Sequence, residues 1–201
     1  SLTANSVIAN YLTDRLVYFD ADGNAQPWLA KSWEVSEDQT ELTFFLQEGV
    51  KFHDGTDFNA EAVKANFDRM MDPANASPKL GYLGSLQEIV VVDDLTVTFV
   101  FETPYAPFFI NLAGAVGAIN SPTAVEQYGE TYGRNPVGSG PFMFEEWIPG
   151  SSITLVRNPD YKQFRKDVYN QGPALAEKIV LVVIPEEGTV QAALETGEII
   201  S

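Results

Sequence analysis

Gly49-Val50-Lys51-Phe52-His53-Asp54-Gly55, followed by Thr56-Asp57 and Phe58-Asn59-Ala60-Glu61-Ala62-Val63, hands the chain from strand periodicity to helix periodicity across one glycine-bounded turn. Asn59 is placed to accept from the free amides of a first helical turn, and Phe58 and Val63 stand at the spacing of a hydrophobic staple. The pattern predicts a helix from Ala60 to Met71, with Val63, Phe67 and Met70 or Met71 facing a core. Asp72-Pro73 stops it, and Ala74 to Pro78 reads as loop. Upstream, Trp33 and Val35, then Leu42, Phe44 and Leu46, alternate as two strands turned at Glu37-Asp38-Gln39. Downstream, Ile89 to Val92 and Thr96 to Phe101 form a hairpin hinged at Asp93-Asp94. The centre of the chain is therefore expected to be an antiparallel β-meander with one helix laid on it.

Outward from this unit the pattern changes. Ser6 to Leu16 reads as a helix, with Ser6 as N-cap and Ile8, Leu12 and Leu16 recurring every fourth residue. Asp22-Gly23 is a turn. Pro107 to Leu112 is a short apolar helix, and Ala113-Gly114-Ala115-Val116-Gly117-Ala118 has almost no bulky side chains, so a backbone can come close to something there. Ser121-Pro122 supplies an N-cap and a first-turn proline for a helix to about Tyr128. Asn135 to Pro141 is a glycine-punctuated loop before strands Phe142 to Trp147 and Ile153 to Arg157, which turn at Pro149-Gly150. The last stretch resembles the start of a βαβ unit: strand Ile179 to Ile184, helix Thr189 to Thr196, Gly197 as C-cap, and a new strand at Glu198-Ile199-Ile200. There is no internal repeat.

Composition narrows the function. With 12 Lys+Arg against 28 Asp+Glu, the net charge of -16 repels phosphate backbones and anionic headgroups, which excludes nucleic acid and direct membrane-surface partners. The absence of cysteine removes disulfides, thiolate metal sites and thiol nucleophiles. No run approaches the ~20 apolar residues of a membrane span. The chain opens at Ser1-Leu2-Thr3-Ala4 without Met, so a signal peptide or lipid-anchor cysteine is expected upstream if there is one.

The candidate motifs for chemistry are weak. Asp20-Ala21-Asp22-Gly23-Asn24 lacks the glycine and glutamate that a calcium loop needs at its sixth and twelfth positions, where Ala25 and Lys31 stand. Gly138-Ser139-Gly140 is not followed by a Lys-Ser/Thr pair or a helix, so it reads as a tight structural turn. His53 is the only histidine and is given a turn or surface role. No pair of carboxylates stands in a diagnostic constellation, so no catalytic residue, metal ligand or cofactor is expected. Trp33, Phe44, Phe67 and Phe99 read as core. Tyr82 differs: it stands at a loop-to-element junction flanked by glycines, where an aromatic either packs inward or faces a ligand, and the residues alone favour the first.

Several segments taken in order resemble the family-5 extracellular solute-binding proteins. They are Asp22-Gly23 with Pro27-Trp28-Leu29-Ala30-Lys31-Ser32-Trp33, the Gly49 to Val63 stretch, Asn135-Pro136-Val137-Gly138-Ser139-Gly140-Pro141-Phe142, Arg157-Asn158-Pro159-Asp160-Tyr161, and Leu194-Glu195-Thr196-Gly197-Glu198-Ile199. The resemblance implies an α/β, periplasmic-binding-protein-like (type II) lobe with an inserted antiparallel β-meander plus helix. It assigns residues 1–18 and 135–201 to the lobe and 19–134 to the inserted subdomain. A second lobe is expected after Ile200 and a first strand before Ser1, neither of which is in this sequence. It also implies a ligand wall made by Leu2 and Thr3, by Tyr82, and by Gly114, Ala115, Val116 and Gly117.

The function implied is extracytoplasmic capture of a peptide-like solute, in the periplasm or at the cell surface with or without a lipid anchor, for delivery to the permease subunits of an ABC transporter. An oligosaccharide or metal-chelate receptor is the alternative within the class, and a hydrolase is the alternative outside it. Nickel-binding members carry an Arg in the small-residue stretch, and none lies between Leu112 and Pro122. Lys162 stands where Trp usually follows the Asn-Pro-Asp-Tyr motif, which removes an expected packing contact.

Overall fold

A computed structural model describes residues 8–183 and 196–197. Its largest unit is a four-stranded antiparallel sheet built from β3 (Ala30–Val35), β4 (Glu41–Leu46), β5 (Leu86–Asp93) and β6 (Thr96–Phe101). Two further strands, β1 (Val17–Phe19) and β2 (Ala25–Pro27), pair as a separate hairpin around the Asp22-Gly23 turn. The spatial order in the large sheet is β3-β4-β6-β5, so the second hairpin joins through β6 rather than in chain order. Helix α2 (Ala60–Met71) fills the connection between β4 and β5 and packs on β5 and β6. It has the expected bounds. Asn59 accepts from the Ala62 N–H at 2.9 Å, and Phe58 and Val63 are both buried.

The alternation predicted for β4 buries Leu42, Phe44 and Leu46 against Phe67 of α2. Phe67 meets Phe99 edge-on at 4.8 Å, and Phe99 in turn packs on Phe44 at 5.6 Å and on Phe108 at 5.2 Å. Edge-to-face rings of this kind add to the area they bury. Trp33 lies across Phe44 and Phe109 and is half-buried. Val35, expected on the buried face, is 47% exposed because it is the last residue of an edge strand.

The first helix ends earlier than its spacing suggests. Helix α1 covers residues 8–12 among the described residues, and Ser6, the expected N-cap, lies outside the described residues. At its end the Thr13 hydroxyl donates to the Ala9 carbonyl at 2.7 Å, Arg15 then bridges Ala118 in extended form, and β1 follows. Leu12 and Leu16 are both buried but in different clusters, Leu12 with Phe142 and Leu155, Leu16 with the large aromatic core. Their four-residue spacing is not that of one helix face.

The smaller cluster sits on a second antiparallel sheet, β7 (Phe142–Ile148), β8 (Ser152–Arg157) and β9 (Lys178–Val182), in that order. Thr196-Gly197 is a turn with Gly197 at φ 73°. Ile184, the helix expected at Thr189 and the strand expected at Glu198 lie outside the described residues, so the βαβ expectation meets only its first strand.

The Gly138-Ser139-Gly140 turn joins the two units by close backbone approach. Gly140 N–H donates to the Leu12 carbonyl at 2.9 Å, and a Cβ added at Gly138 would stand 2.0 Å from that same oxygen. His53 clamps the turn from the other side. Its main-chain N–H donates to Gly138 O at 2.8 Å, its Nδ1 accepts from Gly138 N–H at 3.3 Å, and its Nε2 reaches Gly140 O at 3.0 Å. Because the Gly138 amide donates, Nδ1 must accept, which fixes a neutral ring protonated on Nε2. Burial lowers the His53 pKa, consistent with that form. The turn position expected of His53 is correct, and its half-buried side chain cross-links that turn to the Gly138–Gly140 turn.

The Asn158 to Tyr161 motif completes the junction. Asn158 Nδ2 donates to Gly140 O at 3.2 Å, and the Tyr161 hydroxyl donates to Asp14 Oδ1 at 3.2 Å. Asp14 is 1% exposed, and burial pushes its carboxyl pKa up to about 8 despite that bond and the nearby Arg165 and Arg15. Lys162 lines a cavity of about 600 Å³ with Asp14, Lys51, Phe52 and Tyr161.

Candidate functional site

Tyr82 sits in a 3-10 turn, Leu80–Leu83, between α2 and β5. Leu83 is buried and anchors the turn, while the Tyr82 N–H closes on Lys79 O at 3.0 Å. The ring itself is left on the surface, 48% exposed. Gly84 follows at φ 62° with the Tyr105 ring where a Cβ would be, so the chain leaves the turn along a path that only glycine takes easily.

Helix α3 (Phe108–Ala113) connects this turn to the small-residue stretch. Asn111 Nδ2 donates to the Tyr82 carbonyl at 2.8 Å, while the Asn111 carbonyl accepts from Gly114 N–H at 3.2 Å and Val116 N–H at 3.0 Å. One residue thus ties the aromatic turn and the stretch together. Asn111 was missed in the sequence because nothing local marks an asparagine one turn before a helix end as a tie to a residue 29 positions away.

The stretch divides by burial. Gly114 is exposed and Ala115 half-buried. Val116 is fully buried within the aromatic core, so it does not reach the surface wall expected of it. Gly117 is buried as well, and its smallness has an internal cause: a Cβ there would stand 1.5 Å from Leu112 O. Leu2 and Thr3 lie outside the described residues.

Beside the Tyr82 turn, a cavity of about 230 Å³ is lined by Asn66, Arg69, Asn75, Ser77, Lys79 and Asn120 among others. Asn66 and Asn120 are locked to each other, with Asn66 Nδ2 donating to Asn120 O at 2.8 Å and Asn120 N–H to Asn66 Oδ1 at 3.0 Å. Lys79 is exposed by area, but its surroundings desolvate the ammonium and lower its pKa, with the Arg15 charge adding to the shift.

Among the described residues no group of three or more His, Asp or Glu is gathered for a metal ion. The Asp20 carboxylate is taken up locally by Asp22 N–H, Asn24 N–H and Gln26 Nε2, as a polar turn requires. No helix of the described residues is long and apolar enough to cross a membrane.

Known proteins match nearly the whole chain. The family described as bacterial extracellular solute-binding proteins, family 5 Middle, matches residues 24–201. The chain belongs to this family. It is 34% identical over 196 residues to the glutathione-binding protein GsiB of Shigella flexneri, covering 98% of this chain and 37% of that protein. Among solved structures it is similar to AgaA of A. tumefaciens R10 in complex with agropinic acid, with TM-score 0.83 and 30% identity over 99% of this chain and 39% of that one. It is also similar to a dipeptide binding protein from Pseudoalteromonas sp. SM9913 in complex with Met-Leu, with TM-score 0.84 and 26% identity over 98% and 42%. The family-5 chain described here therefore has the mixed α/β fold of periplasmic binding proteins and spans well under half the length of these relatives.

Proposed function

We propose that this chain supplies one wall of a solute-binding cleft that captures a peptide-like molecule outside the cytoplasm and passes it, unmodified, to the permease subunits of an ABC importer. The observation that carries this reading is Tyr82, an exposed ring on a turn anchored by Leu83 and tied through Asn111 to the exposed backbone at Gly114, in a chain of family 5. Glutathione and Met-Leu, named with two relatives, are peptides and support this reading, beside the agropinic acid named with a third. The absence of Arg between Leu112 and Pro122 argues against a nickel chelate.

In this reading residues 19–134 form the inserted subdomain and residues 1–18 and 135–201 the lobe it interrupts. The separate cores under the two sheets support that division, although Leu16 and Val17 belong to the larger one. The second wall is a further lobe in the length that the relatives have beyond this chain.

Mass spectrometry of solute retained by the full-length protein tests the proposal: intact peptides support it, whereas a retained sugar or metal chelate, or turnover of an offered substrate, overturns it. A single wall cannot enclose the 70–90% of ligand surface that tight sites bury. The 201-residue chain alone should therefore bind the same peptides no tighter than about millimolar by calorimetry, near 4 kcal/mol. Micromolar binding by this chain alone would refute the two-wall arrangement.

A further inference from the structure

The position of the Tyr82 ring is set from outside its own turn. Leu80–Leu83 is a short 3-10 stretch, a form whose hydrogen-bond geometry is poorer than that of an α-helix. The Tyr82 N–H closes on Lys79 O at 3.0 Å. Its carbonyl, at the end of the turn, is of the kind that a helical segment leaves without an internal partner. The group that meets it is the carboxamide of Asn111, 29 residues away, whose Nδ2 donates at 2.8 Å.

Helix α3 does not need this side chain for itself. The main chain of Asn111 already caps the helix, its N–H donating to Pro107 O at 3.1 Å and its carbonyl accepting from Gly114 and Val116. Nor does the outer side of α3 demand a polar residue, since the neighbouring Ile110 stands 65% exposed. The same Asn111 Nδ2 lies 3.5 Å from the Tyr105 hydroxyl. Tyr105 sits between Pro104 and Pro107, each with a fixed φ, and its ring stands 2.5 to 2.6 Å from where a Cβ on Gly84 would be. The Tyr82 turn is thus gripped at its carbonyl by Asn111, at its exit by Tyr105, and underneath by the buried Leu83.

We infer that Asn111 is a positioning residue for solute capture, acting through the Tyr82 carbonyl to fix where the ring stands. The inference rests on the solute-binding reading above and assigns that site a control point on α3. A tyrosine side chain settles into a few rotamers, so once its main chain is held the ring has few places to be. Without the tie the turn would shift among several arrangements, and a solute would have to order it on binding. Removing the donor should cost about what one hydrogen bond contributes, five- to tenfold in affinity, and only where the ring is present to be positioned.

A double-mutant cycle by calorimetry on the full-length protein tests this with the dipeptide Met-Leu, on wild type, Asn111→Leu, Tyr82→Ala and the two combined. If wild type does not bind the dipeptide, the solute recovered from it by mass spectrometry takes its place. Leucine is close to asparagine in size and favours a helix, and melting curves establish that the variants fold. Asn111→Leu should weaken binding about five- to tenfold when Tyr82 is present and about twofold or less in Tyr82→Ala. The cycle is repeated with Asn111→Asp, which keeps the shape but turns an acceptor toward the Tyr82 carbonyl, and the loss should be at least as large. Equal losses with and without the ring, or full affinity in folded Asn111→Leu and Asn111→Asp, overturn the positioning role and leave solute binding standing. Unchanged affinity in Tyr82→Ala alone takes the ring out of the site and this inference with it. If wild type binds neither Met-Leu nor any retained solute, the solute-binding reading itself fails.

Discussion

Replacing Asp14 by Asn should change how stability depends on pH more than it changes stability itself. The carboxyl is 1% exposed, and burial raises its pKa from 3.8 to about 8 in the folded chain. A group whose folded pKa is raised contributes stability that is fully present below the unfolded value and is lost as pH rises through the folded one. Across that window the cost is about 1.4 kcal/mol per pH unit, so stability should fall by about 2 to 3 kcal/mol between about pH 6 and 8. Few other groups compete in this range: there is one histidine, whose pKa burial lowers, and no cysteine. An amide at this position keeps an acceptor for the Tyr161 hydroxyl but cannot ionise. Urea unfolding at several pH values should therefore show a sloping wild type and a nearly level Asp14→Asn variant, the two diverging as pH rises. Equal slopes would refute the claim that Asp14 is buried as the neutral acid.

Three further substitutions probe the core, the close backbone approach and the exposed ring. Phe67→Ala removes a fully buried ring from contact with Phe99 and Phe108 and should cost about 3 to 5 kcal/mol in urea unfolding; a loss under about 1 kcal/mol would mean that the aromatic cluster is not packed as described. Gly117→Ala places a Cβ 1.5 Å from Leu112 O and should destabilise by about 3 kcal/mol or more, with soluble expression as the first readout; a neutral outcome would refute the close approach. Tyr82→Ala in the full-length protein should weaken solute binding by about 1 to 3 kcal/mol while changing stability by less than about 1, because half the ring is already in water. Unchanged affinity would remove Tyr82 from the site.

How far the sequence was legible follows from the range of each interaction. The bounds of α2 were readable because Asn59 and Asp72-Pro73 act within a few residues of themselves, and the Ser121-Pro122 start of α4 (Pro122–Tyr128) was readable for the same reason. The end of α1 was not, since the same four-residue spacing serves Leu12 in one core and Leu16 in another. Sheet order was also hidden: that β6 and not β5 lies against β4 depends on where α2 carries the chain, which no local pattern encodes. Tyr82 stood out because glycines flank it. The reason for Gly117 did not, because its constraint is a carbonyl five residues earlier brought close by the turn after α3. Arg69 and Lys79 come from two elements, and only the fold brings them to one cavity.

The candidate wall is built to stay in place while something else moves. Its aromatic turn is fixed to α3 by Asn111, α3 is seated by Phe108 and Leu112 in the main core, and the same core reaches Leu16 and Val17. From there Arg15 and Ala118 bridge back to the cavity lined by Lys79, closing a loop of packed contacts around the site. Beyond it, His53 holds the Gly138–Gly140 turn by part-buried hydrogen bonds and Tyr161 holds Asp14 by a buried one, which ties the two sheets at their junction. Rearranging this junction means exposing or unpairing the polar groups that are bonded in it, at about 1 to 3 kcal/mol each, although the buried Ser139 hydroxyl has no partner among the described residues. In the proposed arrangement, a second lobe closing over a solute would meet the Tyr82 turn already held in place by Asn111 and Leu83. Little ordering cost would fall on this face, and the energetic contest between open and closed states would be decided by the hinge and the opposite wall.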